Sequence, residues 1–508
     1  MFTVLLAALA IAGGDGLPVK APAAVGMSAA RLRVIDRVVQ RGIKAGGFPG
    51  AAVVVGRKGA SVWHKGFGHI DWAKTSPEVS PSETIYDLAS LTKVVGTTTA
   101  VMILYDEGLI GLDDPVSKYL PEFSGGLKDS VTIRLLLEHR SGLPPDRPLW
   151  RLASSPADAR RIVLSTSLDY RPGARYVYSD LGAMTLAFIV EQVTGQPLDG
   201  FLHDRVYAPL GMNHTFFRPA DSLKDRVAPT EVTPPRGYPL QGEVHDENAY
   251  ALGGVAGHAG LFSTAQDLAV FAQMMLNGGE YDGVRIVADS TIRLFTTRAA
   301  GSRALGWAMA DGQWGSGEYL SDNAYGHVGY TGTSLWIDPS REMFVILLTN
   351  RVHAARARRP EKVIADVRAD LSDAAAVAVT DVPDMMLAMP ETFRADLAQG
   401  WNKPIRPARR RVTRKSSHKT VTHKSTSSKK AASKASSSKT TTHKTTAKKT
   451  TSKATASKST SKATAKKSTA KPATKPAARK STSASSKSAS KSASKSTSKS
   501  TSTAAKKG

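Results

Sequence analysis

The sequence predicts a mixed α/β fold, in which an antiparallel sheet is flanked by helices and joined to a helical lobe. Strand-like runs occur near the start of the chain, within residues 51–68, and again late, within residues 304–349. The residues between them have mainly helical spacing of apolar side chains. Since strands at the two ends of a domain usually pair into one sheet, we expect the helical middle to form its own lobe.

The formal net charge of +26 is unevenly distributed along the 508 residues. Residues 401–508 contain 31 Lys and Arg and no acidic residue, whereas residues 1–400 contain 38 basic and 43 acidic residues. The body therefore has an ordinary, mildly acidic composition and enough length for a large core. We expect a globular domain over 20–375, a linker over 376–407 and a disordered basic tail over 408–508.

The tail consists mostly of Lys, Ser, Thr and Ala, and it has no aromatic residue on which a base could stack. Such a composition is expected to bind anionic envelope polymers or other polyanions by counterion release. A solvated extension without a partner is the alternative. If the chain is exported, the partner is an envelope polymer or lipid surface and not nucleic acid; a tail that compacts DNA would require a cytoplasmic chain.

Residues 1–14 form a short apolar run that ends in two glycines and contains an Ala-x-Ala pattern at Ala10–Ala12. This run resembles a signal peptide and predicts a periplasmic or extracellular location, although a basic n-region is missing. A buried strand or helix is the alternative. The absence of Cys excludes a disulfide framework, a thiol nucleophile and a Cys-ligated metal site.

Each element of the body has its own sequence pattern. Ser28 is a candidate N-cap for the first helix, and a hairpin follows near the N-terminus. Apolar spacing and strand-like composition predict helices over Ser28–Lys44, Leu91–Gly108, Val131–His139, Leu181–Thr194, Thr264–Asn277 and Ala354–Leu371, and strands over 51–56, 61–68, Ala304–Ala308, Thr333–Asp338 and Met343–Thr349.

A candidate nucleophile stands at Ser90, three residues before Lys93. These two side chains meet on one face if the segment is the first turn of a helix. A serine hydroxyl needs an adjacent base, and Lys serves only if its pKa is depressed, for which the apolar neighbours provide desolvation. Within residues 1–400 no other Lys has a Ser three positions earlier, but the motif alone also fits a plain helix start.

A candidate proton shuttle stands at Tyr178, two residues before Asp180 and just before a predicted helix. A phenol can carry a proton to a leaving group if nearby cations such as Lys93 depress its pKa. A buried Tyr at a helix start is the alternative.

A third element is His327-Val328-Gly329-Tyr330, which leads into a predicted strand. Gly329 permits a close approach of two backbones, so that a substrate can lie along the strand edge. The backbone amides of Tyr330 and Ser90 are then candidate oxyanion donors. A Lys or His two residues before a Gly also occurs at Lys44, His64 and His258. Among these candidates, His327 is selected only because it precedes a predicted strand late in the chain.

Taken in order, Ser-x-x-Lys, Tyr-x-Asp and His-x-Gly resemble the serine β-lactamase and penicillin-binding-protein superfamily, in the branch of class C β-lactamases, DD-carboxypeptidases and related esterases. The flanking segments agree, among them Tyr86–Lys93, Val131–Leu143 and His245–Ala249. The resemblance covers about residues 26–372 and implies a β-lactamase-like fold.

The resemblance also implies a mechanism. Ser90 attacks a carbonyl of a small peptide, β-lactam-like or ester substrate, Lys93 and Tyr178 handle the proton, and water hydrolyses the acyl-enzyme. It implies no metal and no organic cofactor. Asp180 stands where class C enzymes usually have Asn, and His327 where many relatives have Lys, and both departures weaken the case for efficient β-lactam cleavage.

Two hypotheses follow. The first is a serine hydrolase of the cell envelope, with a peptidase, carboxypeptidase-like or esterase activity. The second is a non-catalytic module of the same fold that binds peptidoglycan and uses the tail to bind polyanions. A Ser-His-Asp triad through His258 is a further alternative, although Gly257 and Gly260 favour a cleft-wall role for that histidine. The intact Ser90, Lys93 and Tyr178 favour the hydrolase.

Overall fold

The computed structural model describes residues 16–353 and 359–402. The predicted signal peptide, the basic tail and the first residues of the predicted final helix lie outside the described residues. Within the described part of the chain, no helix is both long enough and apolar enough to span a membrane.

The strands form one large sheet and two small ones. The bounds are β1 Gly50–Arg57, β2 Ala60–Gly68, β3 Tyr86–Asp87, β4 Phe216–Phe217, β5 Leu261–Ser263, β6 Glu280–Tyr281, β7 Val284–Arg285, β8 Ala308–Met309, β9 Tyr325–Val328, β10 Ser334–Asp338 and β11 Met343–Thr349. The large sheet has the order β2-β1-β11-β10-β9-β8, with antiparallel neighbours throughout.

The helices cover both faces of that sheet and fill the middle of the chain. They are α1 Ala29–Leu32, α2 Val34–Lys44, α3 Thr99–Asp106, α4 Ile133–Leu137, α5 Leu149–Leu152, α6 Pro156–Ser165, α7 Asp180–Thr194, α8 Leu198–Leu202, α9 Glu247–Ala251, α10 Ala265–Leu276, α11 Asp289–Thr296, α12 Pro360–Ala378 and α13 Arg394–Leu397.

Strands from the two ends of the domain pair directly, which confirms the predicted sheet. Ala51 of β1 lies opposite Thr349 of β11, and the register continues to Arg57 opposite Met343. Because successive side chains of a strand point to opposite faces, β1 contributes to two cores. Val54 packs into the large core shared with the helical lobe, and Val53 packs into the core formed with α2 and α12.

Three predicted elements differ from the structure. The long helix predicted from Leu91 begins as a 3₁₀ turn and a π-helical turn, Lys93–Thr98, before α3. The predicted strand over 304–308 is reduced to β8, which pairs with only two residues of β9. The sequence pattern places His327 just before the strand predicted over Thr333–Asp338, whereas the structure places it inside β9, a strand that the pattern did not predict.

Residues 376–402, predicted as part of a linker, belong to the body instead. The helix α12 continues to Ala378, and the side chain of Trp401 is buried and donates its indole N–H to Asp366 at 2.8 Å. Arg394 of α13 lies 2.6 Å from a carboxylate oxygen of Asp373. Apolar burial and these polar contacts fix the segment against α12, which composition alone did not indicate.

Candidate active site

Ser90 lies in a tight turn that directly follows β3 and is held under strain. Ala89 has a φ of +45°, a value that non-glycine residues adopt at a cost of about 1–3 kcal/mol. The buried carboxylate of Asp87 supports this turn, since it accepts the amide of Ala89 at 2.8 Å and that of His245 at 2.7 Å. The turn presents Ser90 at the opening of a cleft while Leu88 and Leu91 are buried.

Lys93 is buried one turn further on, where it contacts Ser90, His258 and Asp180 and lies beside Tyr178. Its Nζ donates to Ser90 Oγ at 2.9 Å and to the carbonyl of His258 at 3.0 Å, and it lies 2.7 Å from Oδ1 of Asp180. Burial lowers the pKa of Lys93, but Asp180 and Tyr178 together outweigh burial, so the pKa is raised. The expectation of a depressed lysine pKa is therefore wrong, because the desolvation by apolar neighbours on which it relied is outweighed.

Tyr178 is fixed by the start of α7. Ser179 caps this helix by accepting the amide of Gly182 at 3.3 Å, and its own amide donates to Nδ1 of His139 at 3.1 Å. The Tyr178 ring lies 4.6 Å from the His139 ring and 4.9 Å from Lys93 Nζ. Burial raises the pKa of Tyr178 more than Lys93 lowers it, so the expected depression is wrong and the phenol is neutral at physiological pH.

The end of β9 lies against the Ser90 turn. A Cβ on Gly329 would lie 2.3 Å from the carbonyl oxygen of Leu88, so only glycine permits this approach. Thr331 and Thr333 fix the contact by donating to the carbonyls of Asp87 and Leu88, at 2.7 and 3.0 Å. Within the described residues, the amides of Ser90 and Tyr330 donate to no backbone carbonyl, which leaves both available to an oxyanion.

His327 is neutral in this site. Its Nδ1 lies 2.9 Å from the carbonyl oxygen of Val328 and donates to it, so Nε2 carries the lone pair and has no partner among the described residues. Burial, with the charges of Arg303 and Lys93, lowers the pKa of His327 well below its usual value. A neutral imidazole supplies no positive charge to a substrate, as its replacement of Lys implies.

The predicted site residues come together around one cavity of about 280 Å³. Lys93 and Asp180 lie behind Ser90 through the contacts given above, and the other five predicted residues line the cavity itself. Its full lining is Ser90, Tyr178, Arg303, Ala308, Trp314, His327, Val328, Gly329, Tyr330, Arg351, Glu361, Ile364 and Arg368. Among the described residues, no group of three or more potential ligand side chains could hold a metal ion.

Sequence reasoning missed several residues that shape the site. Asp246 accepts from His258 Nε2 at 2.8 Å and caps α9, so it fixes the segment whose carbonyl contacts Lys93. The imidazole of His258 thus faces Asp246, and its backbone oxygen, not its ring, meets the Ser90–Lys93 pair. The segment His245–Ala249 was a signal for Asp246, whereas nothing in the sequence marked Arg303 or Arg368.

The comparisons with known proteins agree with this geometry. The beta-lactamase family profile matches residues 35–369. The chain is 36% identical to the N-acetylmuramyl-L-alanine amidase of Bacillus subtilis, over 64% of this chain and 82% of that protein. It is 35% identical to an Escherichia coli K12 protein named "Putative D-alanyl-D-alanine carboxypeptidase", over 66% of this chain and 85% of that protein.

Solved structures share the fold. A penicillin-binding protein homologue from Caulobacter crescentus matches with a TM-score of 0.55 at 22% identity, covering 70% of this chain and 99% of that one. EstCE1, described as a hydrolase with promiscuous acyltransferase activity, matches with a TM-score of 0.54 at 24% identity, covering 67% and 98%.

The family match and the named relatives, together with the contact between the candidate nucleophile Ser90 and Lys93, identify a serine hydrolase. The chain belongs to the beta-lactamase family, with the β-lactamase and penicillin-binding-protein fold.

Proposed function

We propose that this serine hydrolase acts on cell-wall peptides, as a carboxypeptidase or amidase, through an acyl-enzyme on Ser90. The observation that carries the proposal is the contact of Ser90 Oγ with Lys93 Nζ at the opening of a cavity. The names of the B. subtilis and E. coli relatives support amide bonds of peptidoglycan as the substrate class. Small esters are the second candidate substrate class, because an alcohol leaves a tetrahedral intermediate more readily than an amine does.

The raised pKa of Lys93 determines the route of the first proton. As an ammonium, Lys93 cannot accept the proton of Ser90 unless it gives one up. Asp180 Oδ1, at 2.7 Å, can take a proton from Lys93 while Nζ takes the one from Ser90 Oγ. The Ser90 oxygen then forms a bond to the substrate carbonyl carbon, and the net charge of the three groups and the carbonyl is conserved.

The collapse of the tetrahedral intermediate requires a proton for the leaving amine. Tyr178 is neutral and close to Lys93, so it donates its phenolic proton to the nitrogen of the leaving amine. Tyr178 then regains a proton from Lys93, and Lys93 recovers its own from Asp180. The amides of Ser90 and Tyr330 stabilise the oxyanion. Water then attacks the ester of Ser90 and returns the serine hydroxyl.

The same site favours peptides over β-lactam antibiotics. Asp180 accepts hydrogen bonds only and is engaged by Lys93, so it offers a substrate amide no donor. His327 is neutral and gives a β-lactam carboxylate no ion pair. The substrate class also implies that the protein works in the cell envelope, which agrees with the signal-like segment at residues 1–14.

Intact-protein mass spectrometry tests the nucleophile. The full chain is incubated with a penicillin, with an activated ester and with a stem peptide ending in D-Ala-D-Ala. Ser90→Ala and Ser124→Ala, at an exposed serine outside the cavity, are run alongside. We expect an acyl adduct in wild type and Ser124→Ala that Ser90→Ala lacks.

Release of D-Ala from the stem peptide would assign carboxypeptidase activity, and cleavage of a muropeptide between the sugar and L-Ala would assign amidase activity. A folded wild-type chain that gives neither adduct nor turnover with any of these reagents would refute the hydrolase proposal and favour the peptidoglycan-binding module.

A further inference from the structure

The helix α4 ends at a residue that is unusual for its position. His139 has a φ of +55°, in the left-handed region, and its amide donates to the carbonyl of Leu136 at 3.1 Å. The next amide, that of Arg140, donates to the carbonyl of Leu135 at 2.8 Å. These two bonds end α4 in the Schellman pattern, whose left-handed position usually holds glycine and sometimes asparagine. A buried histidine at this position indicates that the side chain has a use of its own.

The side chain of His139 contacts the residue that supplies a proton in the proposed reaction. The centres of the His139 and Tyr178 rings lie 4.6 Å apart. Nδ1 of His139 accepts the amide of Ser179 at 3.1 Å, and the backbone carbonyl of His139 accepts the amide of Val177 at 2.9 Å. One residue therefore holds the amides on both sides of Tyr178 and packs against its ring.

Other hydrogen bonds hold the start of α7 independently of the imidazole. Ser179 Oγ donates to the carbonyl of Pro144 at 2.6 Å, and the amide of Asp180 donates to the carbonyl of Pro145 at 2.8 Å. The helix therefore keeps two links to the loop at residues 139–145 that do not depend on the His139 side chain. What the imidazole adds is local to Tyr178.

The ionisation of His139 suits an acceptor. Burial, with the charges of Arg303 and Lys93, lowers the pKa of His139 well below its usual value. The ring is therefore neutral at physiological pH, and its single proton is on Nε2 because Nδ1 accepts from Ser179. A protonated ring would carry a second N–H at Nδ1 and would lose this bond.

We propose that His139 is a positioning residue that holds the hydroxyl of Tyr178 between Lys93 and the leaving group. The inference rests on the proposed function, in which Tyr178 gives its proton to the leaving amine. The ring centre of Tyr178 lies 4.9 Å from Lys93 Nζ, and a small displacement of the phenol would separate it from the nitrogen that it must protonate. His139 itself exchanges no proton in this role.

Two substitutions fit the left-handed position and differ in the acceptor. His139→Gly ends α4 without strain and removes both the ring and the acceptor. His139→Asn also suits a left-handed conformation, and its Oδ1 takes the place of Nδ1 towards the amide of Ser179. Urea unfolding checks that both variants are folded under the assay conditions. His203→Asn, at an exposed position outside the cavity, should behave as wild type.

Two substrates with one acyl group measure the effect on proton donation. The phenolate of a p-nitrophenyl ester leaves without a proton, whereas the nitrogen of a p-nitroanilide must be protonated. His139→Gly should lower kcat/KM for the anilide at least about 10-fold more than for the ester, chiefly through kcat, and His139→Asn should recover part of this loss. An equal loss on both substrates in His139→Gly would overturn the inference.

Tyr178→Phe gives the benchmark for this selectivity. It should lower kcat/KM for the anilide more than for the ester, because it removes the proton donor itself. Adding His139→Gly to Tyr178→Phe should then cause little further loss on the anilide, since no donor remains to be positioned. Losses that add in the double variant would show that His139 acts elsewhere and would also overturn the inference.

Hydrogen exchange distinguishes failure of this inference from failure of the proposed function. Mass spectrometry with residue-level fragmentation follows the amide of Ser179 in the full chain. Exchange should be at least about 10-fold faster in His139→Gly than in wild type and slow again in His139→Asn. That result supports the role of His139 even if wild type cleaves neither substrate or Tyr178→Phe loses equally on both, which would count against the proposed function alone. Unchanged exchange in His139→Gly refutes it even if wild type cleaves both.

Discussion

The ammonium of Lys93 lies 2.7 Å from Oδ1 of Asp180, so the lysine beside the nucleophile is paired with a carboxylate and is protonated in the resting enzyme. Lys93 is buried and Asp180 is partly buried, and this burial strengthens their attraction. In the proposed mechanism, the pair holds one proton that moves before Ser90 attacks. We propose on this basis that Asp180 takes part in the chemistry as well as acting as a counter-ion.

Asp180→Asn is expected to lower the rate of acylation by at least about 100-fold, the lower end of what a positioned general base contributes. The amide is close in shape to the carboxylate but cannot accept a proton from Lys93. Stopped-flow acylation with an activated ester measures the effect, and Asp169→Asn, at an exposed position, should match wild type. If Asp180 only kept Lys93 charged, Asp180→Asn would lower the lysine pKa and acylate faster at neutral pH.

Gly329→Ala is expected to disrupt the contact between β9 and the Ser90 turn. The added Cβ would lie 2.1 Å from Thr333 Oγ1 and 2.3 Å from the carbonyl oxygen of Leu88, and the backbone atom cannot move away cheaply. Overpacking of this kind costs about 1–3 kcal/mol, and displacement of the Tyr330 amide should lower kcat at least about 100-fold. Urea unfolding and ester hydrolysis measure the two effects.

Gly200→Ala is the matched control for this substitution. Gly200 lies in α8, and an added Cβ there would have no atom within 4 Å, so alanine should leave activity unchanged and raise helix stability by up to about 1 kcal/mol. Equal behaviour of Gly329→Ala and Gly200→Ala would contradict the tight fit at Gly329.

His245 gives the stability of the fold a pH dependence. Its Nε2 lies 3.1 Å from Oε1 of Glu231. Burial lowers the pKa of His245, but Glu231 and Asp87 outweigh burial and raise it above its usual value. A histidine with a raised folded-state pKa stabilises the fold below its unfolded pKa, near 6.5, and this contribution is lost as pH rises through the folded pKa.

His245→Gln should therefore reduce the free energy of unfolding by about 1 kcal/mol at pH 6; the effect is small because its partner Glu231 is half-exposed. At pH 8.5 the reduction should be smaller, because the imidazole is then neutral. Urea unfolding of wild type and variant at the two pH values measures the difference. Glu231→Gln keeps the imidazole and should reduce the same pH dependence, while Asp87 retains the remainder. A deficit of equal size at pH 6 and pH 8.5 in His245→Gln would show that the ion pair contributes nothing.

Local spacing explains why much of the site could be predicted. Ser90 and Lys93 are one turn apart, and Tyr178 and Asp180 flank a helix start, so their proximity within each motif depends on a few residues only. The ionisation of Lys93 and Tyr178 could not be predicted, because it depends on which distant groups fold against them. Arg303 was missed for the same reason: its charge is unusual only once burial and the absence of a described partner are known.

The antiparallel sheet was predictable because β1 and β11 are each apolar enough to be recognised as a strand from their own residues. The composition of the segment after α12 predicted a linker, because composition does not show that Phe393 and Trp401 are buried in the core or that Arg394 pairs with Asp373.

We further propose that the basic segment after residue 402 binds polyanions by counterion release. This segment contains 31 Lys and Arg and no acid, so its affinity should fall steeply and linearly on a plot of log K against log salt concentration. Fluorescence anisotropy with labelled polyglutamate, and with neutral dextran as control, compares the full chain with a chain ending at residue 402. Only the full chain should bind polyglutamate, because the body carries excess negative charge; salt-independent binding, or equal binding by both chains, would place the interaction in the body.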